Sequence, residues 1–264
     1  VNDATKGYFR QKVWLTWVVL CAGLGGACFG LHLDVAYVLQ KLPFLLGMRL
    51  APDGFIQGAA LTIFVTAFSM FFASLVALVT ALGRLSTNPV AFAVATFYAS
   101  LFRGTPLLVQ VLIIYLALPQ IGIVLGALSS GLIALSLNYG AYLAETIRSG
   151  VMAVPPGQGE AATALGLPRW VIAWKVTGPQ ALRLIIPTAG ALFVSMLKDS
   201  SLVSLMGLWE LNFLAQSYAR ATYHYMEMLI AAALIYWALS IVFELVQFRL
   251  ERRFGRGIAS MGRY

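Results

Sequence analysis

Six long apolar runs constrain the fold of this chain more than any other feature. They lie at about 13–33, 54–82, 90–118, 124–147, 184–208 and 228–248. A transmembrane helix needs roughly 20 consecutive, mostly apolar residues, and each run reaches that length. Inside a bilayer every backbone N–H and C=O must be paired within the protein, which leaves helices or a closed β-barrel. Barrel strands alternate apolar and polar residues over ~10 positions, and these runs do not. The expected fold is therefore all-α: a polytopic membrane helical bundle of about six spans. Composition agrees. Only 11% of the residues are charged and 60% are hydrophobic, whereas a soluble chain carries about 25% charged residues.

The formal charge is +8. In a soluble protein that excess would point to nucleic acid; in a lipid bilayer it reads as topology, because Lys and Arg gather in cytoplasmic loops. No nucleic-acid partner is expected. Six spans place both termini on one side. Lys6, Arg10, Lys12, Arg84, Arg148, Arg169, Lys175, Arg183 and the Arg-rich segment from Arg249 all fall on that side, so both termini are expected in the cytoplasm. The first run, preceded by Lys6, Arg10 and Lys12, shares the profile of a signal peptide but is long enough to span. Cys21 and Cys28 lie on one face of it, in no disulfide or metal-ligand pattern, and read as small apolar core residues. Gly26 with Gly30, and Gly122 with Gly126, have the spacing that allows close helix approach.

The stretch 148–183 is less apolar and more informative. Pro155 and Pro156 interrupt the preceding helix. Glu160 to Leu165 is made mostly of strong helix formers. Gly166 follows where a helix end favours a residue without a Cβ. Pro168 suits the first position of a second short helix, which Pro179 bounds. The pattern is helix, glycine turn, helix, between two spans.

Glu160-Ala161-Ala162, three residues, and then Gly166, with Pro179 thirteen residues later, resembles the coupling loop of binding-protein-dependent ABC importer permeases. That loop usually ends Ile-x-Leu-Pro; this chain has Val176-Thr177-Gly178-Pro179, a change expected to loosen the second short helix. Four further stretches narrow the resemblance to permeases for polar amino acids of the histidine, glutamine and glutamate type. They are Arg103-Gly104-Thr105-Pro106-Leu107-Leu108-Val109-Gln110, Gly140-Ala141-Tyr142-Leu143-Ala144-Glu145-Thr146-Ile147-Arg148, Pro179-Gln180-Ala181-Leu182-Arg183, and Lys198-Asp199-Ser200-Ser201-Leu202-Val203. The resemblance covers about 54–255.

The resemblance implies a five-span core at 54–255 with its coupling loop at about 150–183. An extension at 1–53 with one span precedes it, and a cytoplasmic tail at 256–264 follows. It implies a bacterial inner membrane location. The implied partners are a second permease subunit, identical or homologous, ABC-type ATPase subunits, and a soluble substrate-binding protein that delivers an amino acid. Glu160, Ala161, Ala162 and Gly166 would dock on the ATPase, and ATP binding would drive alternating access. This chain is expected to bind no cofactor, because ATP and Mg belong to the ATPase. It has no Gly-x4-Gly-Lys-Ser/Thr loop of its own and is expected not to be an enzyme.

A charged side chain within a span costs about 2.5–3.5 kcal/mol on insertion scales, so such residues are functional candidates. Arg103, Lys198 and Asp199 lie 13 or 14 residues into their runs. At ~1.5 Å per residue that is roughly 20 Å deep. Asn138 lies near the midplane and shares a helix face with Tyr142 and Glu145. An amino acid zwitterion needs both signs of charge close together in a dry cavity. Arg103 and Lys198 are therefore candidates for the carboxylate and Asp199 for the ammonium, with Thr105, Asn138 and Ser201 as neutral partners. Glu145, nearer the span's end, reads as structural. The alternative class is an ion-coupled secondary amino acid transporter. It explains deep charges equally well, but it has no need of the Glu-Ala-Ala-x3-Gly loop, and such carriers often show internal repeats, which are not evident here. His32 and His224 belong to no metalloprotease-type run.

Overall fold

The computed structural model describes residues 3–30, 33–51 and 54–254. His32, the segment 256–264 and the side chains of Lys6, Arg10, Cys21 and Cys28 lie outside that description. Every regular element among the described residues is helical, apart from one bridge between Gly58 and Glu210.

Two helices precede the central bundle: α1 (Asp3–Gly30) and α2 (Val35–Leu45). Asp34 caps α2, its carboxylate accepting the Tyr37 N–H at 2.9 Å. Leu45 at the far end of α2 is fully buried against Leu211, Leu214 and Met228. This end of the N-terminal extension thus belongs to the packed body. α3 (Gly58–Leu85) begins at a crowded junction. Gly58 has φ +61°, and a Cβ there would lie 2.3 Å from the Leu45 carbonyl oxygen. Only glycine allows α2 and α3 to meet there.

α3 packs along α6 (Ala127–Met152), and this pair is the centre of the fold. Lipid tails are as apolar as leucine, so helices in a membrane associate through close van der Waals contact and favour small residues. Ala73, Ala77 and Ala81 recur every fourth position on α3 and are buried, as are Gly140, Ala141 and Ala144 on α6. A Cβ on Gly140 would stand 2.9 Å from the Tyr98 hydroxyl and 3.1 Å from Val76. That close approach brings α3, α6 and α4 (Pro89–Gly104) together. Tyr98 of α4 donates to the Leu137 carbonyl at 2.5 Å.

The run at 90–118, expected as one straight span, is broken. α4 ends at Gly104, α5 (Leu107–Leu112) continues through a π-helical turn and a 3-10 turn to Ile121, and the two parts are bent by 102°. The cause is local. Pro106 has no N–H to donate, and the residue before a proline avoids helical angles; Thr105 is extended at φ −116°, ψ 143°. Gly122 ends the 3-10 turn at φ +85°, Gly126 caps α6, and a Cβ on either would meet nothing within 4 Å. Their spacing marks a loop and not the helix-packing face expected of it.

Beyond α6 lie α7 (Pro156–Ala164), α8 (Arg169–Val171) with a π-helical turn to Thr177, and α9 (Gly178–Asp199), extended by a 3-10 segment to Met206. Then come α10 (Leu211–Thr222) and α11 (Tyr225–Phe254). Gly58–Leu85, Arg169–Met206 and Tyr225–Arg253 are long and apolar enough to cross a membrane, and the bent pair makes a fourth if taken as one span. The count among the described residues is thus three or four. α6 is long but not among them, because Ser130, Ser136, Asn138, Tyr139 and Glu145 dilute its apolar run.

Candidate substrate pocket and coupling helix

The break in the fourth helix creates the candidate site. Bending a membrane helix frees backbone carbonyls that water cannot reach, so side chains must pair them. Here the Gln110 amide donates to the carbonyls of Phe102 at 2.9 Å and Thr105 at 3.1 Å, and to the Thr105 hydroxyl at 2.8 Å. The Asn138 amide donates to the same Phe102 carbonyl at 3.0 Å and to Gln110 Oε1 at 3.2 Å. The Thr105 hydroxyl donates to the Leu101 carbonyl at 2.8 Å. Gln110 and Asn138 are buried. Thr105 and Asn138, singled out in the sequence as neutral ligands, thus hold the wall of the site as well as face it.

That wall bounds a cavity of about 480 Å³. Arg103 and Thr105 line it from the break, Asn138, Tyr139 and Tyr142 from α6, and Leu192, Ser195 and Asp199 from α9. Four of the six sequence candidates therefore meet around one space. Asp199 Oδ2 accepts the Tyr139 hydroxyl at 2.6 Å. The Arg103 guanidinium lies 5.5 Å from the centre of the Tyr142 ring and donates to Glu145 Oε2 at 3.2 Å. The cavity thus has an anion on one helix and a cation on another, with aromatic rings between them.

Lys198 and Ser201 do not line the cavity. Neighbouring helical residues point ~100° apart, so α9 turns Asp199 inward and leaves Lys198 exposed. Arg103 reaches along α6 from the cavity. Its partner Glu145 lies seven residues along α6 from Asn138, so the guanidinium reaches ~10 Å toward the α7 end. There Glu145 also accepts from Arg84 and Arg148. Nothing in the sequence singles out Tyr139, and Gln110 stands there only as the last residue of the 103–110 stretch. The usable signal for Gln110 was a Gly-Thr-Pro break with an amide four residues on.

α7 is exposed, apart from buried Ala162 and half-buried Gly159. Its end is built as the sequence indicated. Gly166 has φ +75°, its N–H donates to the Thr163 carbonyl at 2.9 Å, and the Leu167 N–H donates to the Ala162 carbonyl at 3.2 Å. This pair of bonds is the Schellman closure, and it fixes the direction of the next helix. Glu160, Ala161 and Gly166 face outward, beside exposed Leu165, Trp170 and Trp174. Gly178, where the usual loop has Leu, follows the π-helical turn, and a Cβ there would stand 2.6 Å from the Ala173 carbonyl oxygen. The change from Leu goes with this tight turn, and helical structure runs on from α8 into α9.

At the opposite end, Glu210 is wholly buried. It caps α10 by accepting the N–H groups of Asn212 at 2.9 Å and Phe213 at 2.7 Å, and it accepts the Tyr236 hydroxyl at 2.7 Å. The Thr62 hydroxyl donates to it at 3.5 Å. Burial outweighs these donors and pushes its carboxyl up to about 7.

An all-helical membrane bundle with a polar cavity at a broken helix and an exposed capped helix outside it defines a membrane permease. Residues 69–256 match the family described as "Binding-protein-dependent transport system inner membrane component". The chain is 34% identical over 224 residues to the arginine transport system permease protein ArtQ of Bacillus subtilis, covering 84% of this chain and 98% of ArtQ. It is 40% identical over 204 residues to the L-cystine transport system permease protein TcyB of the same organism, covering 76% and 87%. A chain of the crystal structure of an amino acid ABC transporter with histidines superposes with a TM-score of 0.76 at 35% identity, covering 84% of this chain and 99% of that one. The protein belongs to this family of inner-membrane components: it is a multi-pass ABC permease subunit, and the ATPase is a separate component.

Proposed function

We propose that this chain is the transmembrane subunit of an ATP-driven importer of polar amino acids, working by alternating access. The observation that carries the substrate class is the placement of Arg103 and Asp199 on different helices around one cavity. An amino acid presents a carboxylate and an ammonium, and a site of both signs in low dielectric matches that pair. Arg103 receives the carboxylate, Asp199 the ammonium, and Thr105 and Asn138 supply neutral contacts. Lys198 and Ser201 stand outside this set. The arginine, cystine and histidine named for the relatives fall in the same class.

Glu160, Ala161, Ala162 and Gly166 form the contact with the ATPase. Support comes from the rigid closure at Gly166 and the exposed face of α7, because a rigid plug transmits a rigid-body motion. A second permease subunit completes the pathway, and a soluble binding protein supplies the amino acid. The proposed topology has six spans, α1 the first and α6 the fourth, in a bacterial inner membrane. Arg84, Arg148, Arg169, Lys175, Arg183, Arg249 and Arg252 lie at the α7 end, which favours both termini in the cytoplasm. The domain division is 1–53, 54–255 and 256–264.

The test is purification of the tagged chain from native membranes in mild detergent. Stoichiometric recovery of an ABC-type ATPase, lost on Gly166→Val, supports the reading. A stable chain that recovers no ATPase contradicts it.

A further inference from the structure

A second cavity, of about 410 Å³, adjoins the first. Small-molecule sites run ~300–1,000 Å³. The two share Arg103, Gly104 and Tyr142, and the second adds Arg84, Thr96 and Ser100. It contains nothing from α9, so Asp199 is not part of it. It lies on the α7 side of the first, because Arg84 and Arg103 converge on Glu145, which is six residues along α6 from Tyr139.

The charge around it does not balance, counting Glu145 and Arg148, which stand outside its lining. Arg84, Arg103 and Arg148 all pair with Glu145, the sole ion-pair partner of each among the described residues. Three guanidinium groups against one carboxylate leave a surplus of two positive charges. Arg84 exposes only 16% of its side chain. Arg148 exposes 26% and Arg103 39%, so the surplus charge is open to an anion that enters the cavity. Donors are also left over: Arg84 Nε and Thr96 Oγ1 are buried without a partner. Guanidinium groups present paired donors matched to a carboxylate.

We infer that this second cavity is an exit station for the carboxylate of the transported amino acid, held between Arg84 and Arg103. The inference rests on the amino acid reading above. Glu145 is then a built-in carboxylate that occupies the arginines when the station is empty, and Arg103 serves both cavities. The absence of an acidic wall fits a release site, since the ammonium has no partner there and the amino acid is held by one end only.

The test is equilibrium binding to the full complex in nanodiscs of neutral lipid, without nucleotide. The probes are tritiated L-glutamine, L-glutamate and L-arginine in turn. The expected result is two saturable classes per permease subunit for at least one probe. Arg84→Gln weakens one class at least tenfold, and Asp199→Asn weakens the other. Ser100→Val leaves all four ion-pair residues in place and narrows only the second cavity, so it selectively weakens the same class as Arg84→Gln even if that variant folds poorly. A single class, unchanged in Ser100→Val, overturns the inference and leaves the first pocket standing. Occupation by inorganic phosphate or anionic lipid that no amino acid displaces also overturns it. Loss of both classes in the wild type sinks the amino acid reading itself.

Discussion

The Tyr139 hydroxyl donates to the Asp199 carboxylate at 2.6 Å, tying the middle of α6 to the last residue of α9 across the cavity. A hydrogen bond to a charged group contributes ~1.5–3 kcal/mol. Tyr139→Phe removes it while keeping the ring, and uptake efficiency is expected to fall roughly 10- to 100-fold. Initial-rate uptake in proteoliposomes measures this. An unchanged rate would mean that Asp199 is placed without Tyr139.

Gln110 and Asn138 both donate to the Phe102 carbonyl freed by the helix break. An unpaired buried carbonyl costs about 1–3 kcal/mol. Each single Leu substitution leaves the other donor in place at Phe102, so the double variant is expected to lose more stability than the two singles combined. Thermal unfolding in detergent reads this directly. Simple additivity would show that the two amides act independently.

Gly166 at φ +75° closes α7. A β-branched residue is strained at such an angle, whereas Asn tolerates it. Gly166→Val is expected to abolish ATPase stimulation by substrate and to leave equilibrium binding in the first pocket intact. Gly166→Asn is expected to retain most stimulation. Equal activity of the two variants would count against a role for the turn geometry.

Glu210 has its carboxyl pushed up to about 7 by burial. A raised folded-state pKa means that the folded chain binds the proton more tightly than the unfolded chain. The stabilisation is fully present below the unfolded value, ~4.3, and is lost as pH rises through about 7. The melting temperature is therefore expected to fall between pH 5 and 8, by less in Glu210→Gln. A variant with the same slope as the wild type would assign the pH dependence elsewhere.

Much of this was legible in the sequence because its causes are local. Pro155, Gly166 and Pro168 act within a few residues of themselves, and the first helix and the glycine turn they indicate are present; the second helix begins after Pro168 but runs through Pro179 into α9 and does not end there. The long apolar runs became helices for the same reason. The break at Thr105 was not read, although Pro106 is its cause, because an apolar run conceals a bend that is stabilised from elsewhere. Asn138 lies 36 residues from the Phe102 carbonyl it pairs, and no local pattern reveals that partnership. Lys198 was grouped with Arg103 as a charge deep in an apolar run, but α9 leaves it exposed and outside the cavity that Asp199 lines. Glu145 stood out only as a charge near a span's end, and its three arginine partners come from three helices. Glu210 gave no sign, because its burial depends on Thr62 and Tyr236, both distant in the chain.

The most direct test of the central claim is uptake of a panel of labelled polar amino acids by proteoliposomes. These would hold this chain with its co-purified permease, ATPase and binding protein. ATP-dependent accumulation of at least one amino acid, abolished by Asp199→Asn while the complex stays assembled, is the expected result. Uptake that proceeds without ATP and collapses with an ionophore, or full transport by the Asp199→Asn complex, would contradict it.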